Sequence, residues 1–411
     1  MAFKLYILYI VSIFIHIPNR LPFLAAIRFD MMLVGIIVVA MIFSKDKSIQ
    51  FWIDDISRWV LLLFIYIVVT LPFVQWPGTV LRYGIQEWFK GVVFLIFTVC
   101  LVTDIRRLRF FLLVFAGCQV FRVIEPVFLH VTTGYWGDTA FMGAGEMMDR
   151  LAGAPHDPIN PNGLAYVVIT AAALCYYLIP SCQRVVRFLY IPIMTLSGYA
   201  LILTGSRSGF VTALVILAVI VLRSRKKVLV FAVICIFSLL AIANLNDMQR
   251  DRYLSIYRDD VRGSATSQGR IDGLWVSFDL ALNKPFVGHG IGTSSELGYN
   301  FRRDGLRAHN LYLEIWQEIG LFGLTIFIFF MVYIIFGWLK MRRLVQQTGD
   351  KFLIATSDAT GVWLLANLVF SLVSYGLLSY PWYLLAGLVS TIRRIAYSEI
   401  ALIPSPKEQA I

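Results

Sequence analysis

The chain has 411 residues, of which 59% are hydrophobic and only 15% charged, with a mean hydropathy of +0.75. Soluble domains carry closer to a quarter charged residues, so this composition excludes a water-soluble globular protein and makes the bilayer the relevant solvent. The formal net charge of +11 does not argue for nucleic acid, because basic residues in a membrane chain serve first as topology signals.

The apolar runs, in chain order, are 3–17, 29–43, 58–75, 84–102, 108–128, 161–180, 185–204, 208–223, 227–244, 310–339, 353–376 and 380–398. Backbone polar groups in lipid must be satisfied within the segment, so these runs predict about twelve transmembrane helices. The first follows a single Lys4, lacks a small-residue cleavage site, and reads as a retained helix rather than a signal peptide. The cysteines, Cys100, Cys118, Cys175, Cys182 and Cys235, lie in or beside apolar runs without metal spacing. They are expected as buried small apolar residues.

Basic residues orient the spans. With a cytoplasmic N-terminus, every inside loop is basic: Lys45, Lys47 and Arg58; Arg106, Arg107 and Arg109; Arg184 and Arg187; Arg223, Arg225, Lys226 and Lys227; Lys340, Arg342, Arg343 and Lys351. The C-terminal tail adds Arg393, Arg394 and Lys407. The short outside loops hold only Arg20, Arg28, Arg82, Arg150 and Arg207. This pattern predicts both termini in the cytoplasm. Two long loops, about 129–160 and 245–309, then fall outside. The chain divides into spans and the first outer loop over 1–244, an outer loop over 245–309, spans over 310–399 and a tail over 400–411.

The second long loop holds nine basic residues, all arginine except Lys284. Long loops translocate regardless of charge. Arginine's planar fork suits phosphate, which hints at an anionic partner. Most of these arginines are nonetheless expected to be solvated and paired with Asp247, Asp251, Asp259, Asp260 and Asp272.

Four stretches could carry chemistry. Thr204-Gly205-Ser206-Arg207-Ser208-Gly209 is the turn between the seventh and eighth spans. It places one arginine on the side otherwise poor in charge, although a purely structural turn is an equal reading. Ile271, Leu274, Trp275, Phe278 and Leu282 have helical spacing and predict an amphipathic helix inside the outer loop, with Arg270 at its start. Pro285-Phe286-Val287-Gly288-His289-Gly290-Ile291-Gly292 permits a tight turn. Finally, His309 stands at the outer mouth of the tenth span, with Glu314 and Glu318 on one helical face below it. A lone interfacial histidine is more often structural, but one in a half-dry site can serve as a general base.

Intramembrane charges usually face a partner or a cavity. Glu87 with Lys90, and Arg122 with Glu125, lie one turn apart near outer helix ends. They are expected as two ion pairs or as the wall of an outward-facing cavity. There is no Walker A sequence, no D-x-D triplet and no His/Cys cluster, so neither an ATPase nor a metal site is expected.

These stretches together resemble the O-antigen ligase and Wzy polymerase superfamily. The resemblance rests on Gly205-Ser206-Arg207-Ser208-Gly209, on Arg270 before its amphipathic segment, on the glycine-rich stretch 285–292, and on Arg307-Ala308-His309-Asn310-Leu311-Tyr312-Leu313-Glu314 with Glu318-Ile319-Gly320. It is strong over roughly 200–323 and extends to Arg150, Gly153, Asp157-Pro158 and Pro161-Asn162. The first five spans match in hydropathy alone. The resemblance implies an all-α, GT-C-like polytopic protein of the bacterial inner membrane with a long, partly helical periplasmic loop between spans nine and ten. It implies a metal-independent, cofactor-free, inverting glycosyltransferase working at the periplasmic face on an undecaprenyl-diphosphate-linked glycan. Arg207 and Arg270 would hold the diphosphate, and His309 would act on the acceptor hydroxyl. Arg150, Asn162, Ser206, Arg307, Asn310, Glu314, Lys90 and Arg122 would support them or line the cavity.

The acceptor would be lipid A–core for a ligase, the next lipid-linked repeat for a polymerase, or a protein for an O-oligosaccharyltransferase. No motif decides between these, and the cleanly present arginine, arginine, histidine pattern favours the ligase modestly. Outside this class, a polysaccharide transporter or flippase could also have twelve spans. The halves show no repeat of the kind transporters often carry.

Overall fold

A computed structural model describes residues 1–44, 54–143, 145–182, 184–224, 227–228, 247–258, 261, 264–302 and 309–402. The architecture is a bundle of apolar helices. The principal ones are α1 (Ala2–Ile15), α2 (Phe29–Ile42), α3 (Asp55–Thr70), α4 (Ile85–Leu101) and α5 (Ile105–Thr133), then α6 (Pro161–Leu178), α7 (Tyr190–Thr204) and α8 (Arg207–Arg223). After these come α9 (Asp247–Leu254), α10 (Ser264–Asn283), α11 (Leu311–Thr348), α12 (Lys351–Ser371) and α13 (Tyr380–Ala401).

Among the described residues, six helical segments are long and apolar enough to cross a membrane: Asp55–Phe73, Pro77–Leu101, Ile105–Thr133, Pro161–Ser181, Leu311–Thr348 and Lys351–Ser371. The runs expected at 3–17, 29–43 and 185–204 form the shorter apolar helices α1, α2 and α7. Those at 208–223 and 380–398 correspond to α8 and α13. The run at 227–244 lies outside the described residues beyond position 228. The described residues thus form an all-α membrane protein with one small departure.

That departure falls in the first long loop, where β1 (Gly137–Gly143) and β2 (Glu146–Leu151) form an antiparallel hairpin. Asp138 stands opposite Arg150. Alternation along β2 turns Met148 and Arg150 inward.

Helix α13 is the axis of the main core. It packs between α4 and α11, and Trp382, Tyr383, Leu384, Leu385 and Val389 are all buried. Gly387 sets the spacing, since a Cβ there would lie 3.2 Å from the Leu95 Cα. Such small residues let membrane helices approach closely. The Trp88 indole donates to the Tyr383 hydroxyl at 2.7 Å. Cys100, Cys118, Cys175 and Cys182 are free and at least half-buried, as their apolar setting predicts; Cys235 lies outside the described residues.

The two ends of the bundle differ in chemistry. At one end Asp54 caps α3 and binds Arg393 at 2.7 Å, and Arg394 donates to the Val102 carbonyl. Arg223 and Arg342 there flank Asp358. The loops assigned to the inside on charge supply this end. The other end gathers the hairpin, the Gly205 turn, α9, α10 and the start of α11.

Candidate functional site

The site is built around the turn between α7 and α8. Helix α7 stops because Gly205 adopts φ 53°, the left-handed cap that favours glycine. Ser206 then caps α8, its hydroxyl accepting the Gly209 amide. The last carbonyls of α7 have no partner within the helix. Arginines from elsewhere take them. Arg150 Nε donates to the Thr204 carbonyl at 2.8 Å, and Arg252 Nε to the Gly205 carbonyl at 2.7 Å. A helix C-terminus carries partial negative charge, so it suits cations.

A side-chain network ties three expected residues together. Asn162 Oδ1 accepts from Arg150 Nη2 at 3.2 Å and from the Ser206 hydroxyl at 2.8 Å. Arg207 occupies the first turn of α8, where the helix end is itself positive. Its Nη1 donates to the Ser255 hydroxyl at 2.8 Å, and Ser255 in turn donates to the Arg252 carbonyl. Tyr253, between them, lies against Phe210 and donates to the Ile202 carbonyl at 3.3 Å.

Arg150 and Arg252 are 6% and 3% exposed, so their charges are held nearly out of water. Burial pushes the Arg150 guanidinium down to about 10; the Arg270 and Arg207 charges add to this, and Asp138 opposes it. Arg252 is likewise pushed down to about 10 by burial and then by Arg150 and Arg270. Burial lowers Arg270 as well. Four arginines therefore feel one another. Among the described residues, no carboxylate lies within ion-pair distance of Arg150, Arg252 or Arg270. Such a set of guanidinia beside a helix N-terminus is suited to an anion with several oxygens, a phosphate or diphosphate.

Helix α10 follows this cluster in the chain. It packs against both β1 and α11. Ile271, next to Arg270, shares an apolar groove with Leu313, one turn into α11. His309, half-buried, immediately precedes Asn310. Asn310 caps α11 by accepting the Tyr312 and Leu313 amides, and its Nδ2 donates to the Leu372 carbonyl. Asn310 is therefore engaged in holding the helix start that presents His309.

The glycine-rich stretch has a structural role. Helix α11 is broken at Gly320, which has φ 69° and ψ −178°. The backbone groups exposed by that break are paired with residues 285–290. The His289 amide donates to the Gln317 carbonyl, the Gly290 amide to the Glu318 carbonyl, and the Leu321 amide to the Pro285 carbonyl. The Glu318 carboxylate accepts the amides of Gly292 and Ser294 and the Ser294 hydroxyl. Glu314 is 1% exposed and accepts the Gly376 and Leu377 amides. Both acids are thus bound to backbone donors.

Two of the expected supporting residues sit elsewhere. Arg122 does not pair with Glu125, one turn away. It makes a buried two-pronged bond to Asp157, at 2.6 and 3.0 Å, and Glu125 instead binds Arg20. A planar carboxylate from a separate loop fits the guanidinium fork better than a neighbour on the same helix. Lys90 pairs with Glu87 as expected, but on an exposed surface. Arg307 lies outside the described residues, as do Asp259 and Asp260. Asp272 accepts from Gln268, not from an arginine. Arg252 was hidden among the loop arginines. Only its neighbour Tyr253, an aromatic in a polar segment, marked the place.

The described residues form a membrane bundle with a buried arginine cluster at one end. Residues 192–328 match the family model Wzy_C, described as O-antigen ligase. The match contains Arg207, Arg252, Arg270 and His309, and it supports the O-antigen ligase and Wzy superfamily, with ligase- or polymerase-type function in general. A search of the curated proteins finds no match.

Proposed function

We propose that the protein is an O-antigen ligase-like glycosyltransferase of the bacterial inner membrane. In this reading it has about twelve spans with both termini in the cytoplasm. Its active site faces the periplasm, and it moves a glycan from undecaprenyl diphosphate to lipid A–core. The observation that carries the proposal is the gathering of Arg150 and Arg252 on the carbonyls of the α7–α8 turn, with Arg207 beginning α8 and the Arg270 charge felt by all three.

The chemistry follows from the charges. The acceptor hydroxyl attacks the anomeric carbon while the bond from that carbon to the diphosphate oxygen breaks. The diphosphate leaves with the electron pair, and Arg207 and Arg270 stabilise the charge it gains. His309 takes the hydroxyl proton, which a weak nucleophile needs to lose during attack. Approach from the side opposite the leaving group inverts the anomeric centre. Arginines supply the positive charge, so no metal is invoked in the step.

Deletion of the gene in its host, followed by electrophoresis of the lipopolysaccharide, tests the reading. Core without attached polymer, with lipid-linked polymer accumulating, is the expected result. Core capped with one repeat would assign polymerisation instead. An unchanged ladder would contradict both.

A further inference from the structure

At the end of the bundle away from the arginine cluster, the start of α3 and helices α4, α11 and α13 line a cavity of about 400 Å³. Its charged groups are Arg393 and Arg394 from α13, Lys340 from α11, and Asp54 and Asp55 where α3 begins. These five charges are not equivalent. Asp54 is fully engaged: its Oδ1 accepts the Ile56 and Ser57 amides and the Ser390 hydroxyl, and its Oδ2 binds Arg393 at 2.7 Å. Arg394 has no such carboxylate. Its Nη2 donates to the Val102 carbonyl at 2.9 Å, while its Nη1 is buried with no hydrogen-bond partner among the described residues. Leaving a buried charged donor unmatched is costly, so an acceptor beside it would be stabilising. Lys340 is exposed, and its Nζ lies 5.8 Å from the centroid of the exposed Tyr397 ring. Among the described residues, neither Arg394 nor Lys340 has a carboxylate within ion-pair distance. Against these two cations stands only the exposed Asp55.

A phosphate group suits this set, with a guanidinium N–H on one side and an ammonium point charge on the other. Basic pockets between the ends of membrane helices bind anionic headgroups in this way. Phe336 lies one turn before Lys340 on the same face of α11 and is 63% exposed, so apolar surface adjoins the charged rim. We propose that this cavity is a second anion site, separate from the arginine cluster, which takes a single phosphate group between Arg394 and Lys340. The exposed apolar face beside it favours the phosphodiester of an anionic membrane lipid; free phosphate is the other source of the same chemistry. The proposal is independent of the transfer reaction, whose residues lie at the other end of the bundle.

The test titrates the full chain, purified in detergent, by native mass spectrometry. The probes are phosphatidylglycerol, inorganic phosphate, and diacylglycerol, which has the lipid tails without the phosphate. Each variant is compared with the wild type, so phosphate held at the arginine cluster cancels. Lys340→Gln alters an exposed side chain, should leave the melting temperature unchanged, and should weaken phosphatidylglycerol binding about fivefold. Arg394→Gln should weaken it about tenfold or more. Asp55→Asn removes the opposing carboxylate and should tighten binding about two- to fivefold. Lys340→Gln and Asp55→Asn are both at exposed positions and act in opposite directions, so the test stands even if Arg394→Gln fails to fold. The same pattern with inorganic phosphate and not with the lipid would support the site and assign it to soluble phosphate. Equal affinities of all the variants for both phosphate probes would overturn the proposal. Diacylglycerol binding with the same dependence on Lys340 and Asp55 would also overturn it, because no phosphate would then be recognised.

Discussion

Arg150 and Arg252 bind adjacent carbonyls of one turn: Arg150 the carbonyl of Thr204 at 2.8 Å and Arg252 that of Gly205 at 2.7 Å. They come from a hairpin and from a short helix more than a hundred residues apart in sequence, and both are buried. Two like charges held this way repel. The helix carbonyls offset part of that cost, and an anion would offset the rest.

Arg252 is accordingly expected to matter as much as the arginines that a motif reading selects. Arg252→Ala removes a charge-assisted hydrogen bond and one cation of the cluster. Transfer should fall about 10- to 100-fold, the equivalent of a bond to a charged group, with membrane insertion retained. Arg252→Lys should recover little, because lysine has a methylene where the arginine Nε donates to the Gly205 carbonyl. Activity of purified variants against a lipid-linked donor checks this.

The pH dependence of anion binding has a definite sign. Arg150 and Arg252 are held at about 10, below the ordinary arginine value. In the ligand-free protein they are charged and mutually repelling at lower pH, and this destabilisation is relieved as pH rises through about 10. A bound diphosphate reverses the balance, since it favours the charged forms. Stabilisation by pyrophosphate should therefore be full near neutrality and decline as pH rises through about 10. Thermal melts with and without pyrophosphate across that range measure it. A gain that grew with pH would contradict the cluster as the anion site.

Gly320 tests the clasp on α11. A Cβ at this position would lie 2.2 Å from the Phe286 carbonyl oxygen, and φ is 69°. Gly320→Ala should destabilise the protein by about 3 kcal/mol, read as a lower melting temperature in detergent. His309 and the arginines are untouched by the change, so the molecules that remain folded should still bind pyrophosphate.

Glu318 separates structure from chemistry. Its carboxylate accepts from the Gly292 and Ser294 amides and from the Ser294 hydroxyl. Glu318→Gln turns an amide group toward those donors and should cost about 2 kcal/mol of stability. The rate per folded molecule should be little changed, which kinetics normalised to folded protein would show.

The long apolar helices were legible because hydropathy is a local signal. Arg207, Arg270, Asn162 and Ser206 stood in recognisable stretches. The Arg122–Glu125 pairing was misjudged because helical spacing is visible in sequence, whereas the loop that brings Asp157 to Arg122 is not. The hairpin at 137–151 and the break at Gly320 depend on tertiary partners. The break has an amide of the following turn bound to Pro285 and the carbonyls before it bound by His289 and Gly290, and no window of sequence around Gly320 contains them. Arg252 was illegible for the same reason, since its partner carbonyl lies 47 residues away.

The most direct test is transfer in a purified system containing the protein, an undecaprenyl-diphosphate-linked glycan and lipid A–core. The wild type should form the glycan-capped lipid with inverted anomeric configuration. Arg270→Ala and His309→Ala should form none while remaining folded and inserted. Full transfer by either variant would contradict the mechanism, and transfer to no acceptor by the wild type would contradict the function.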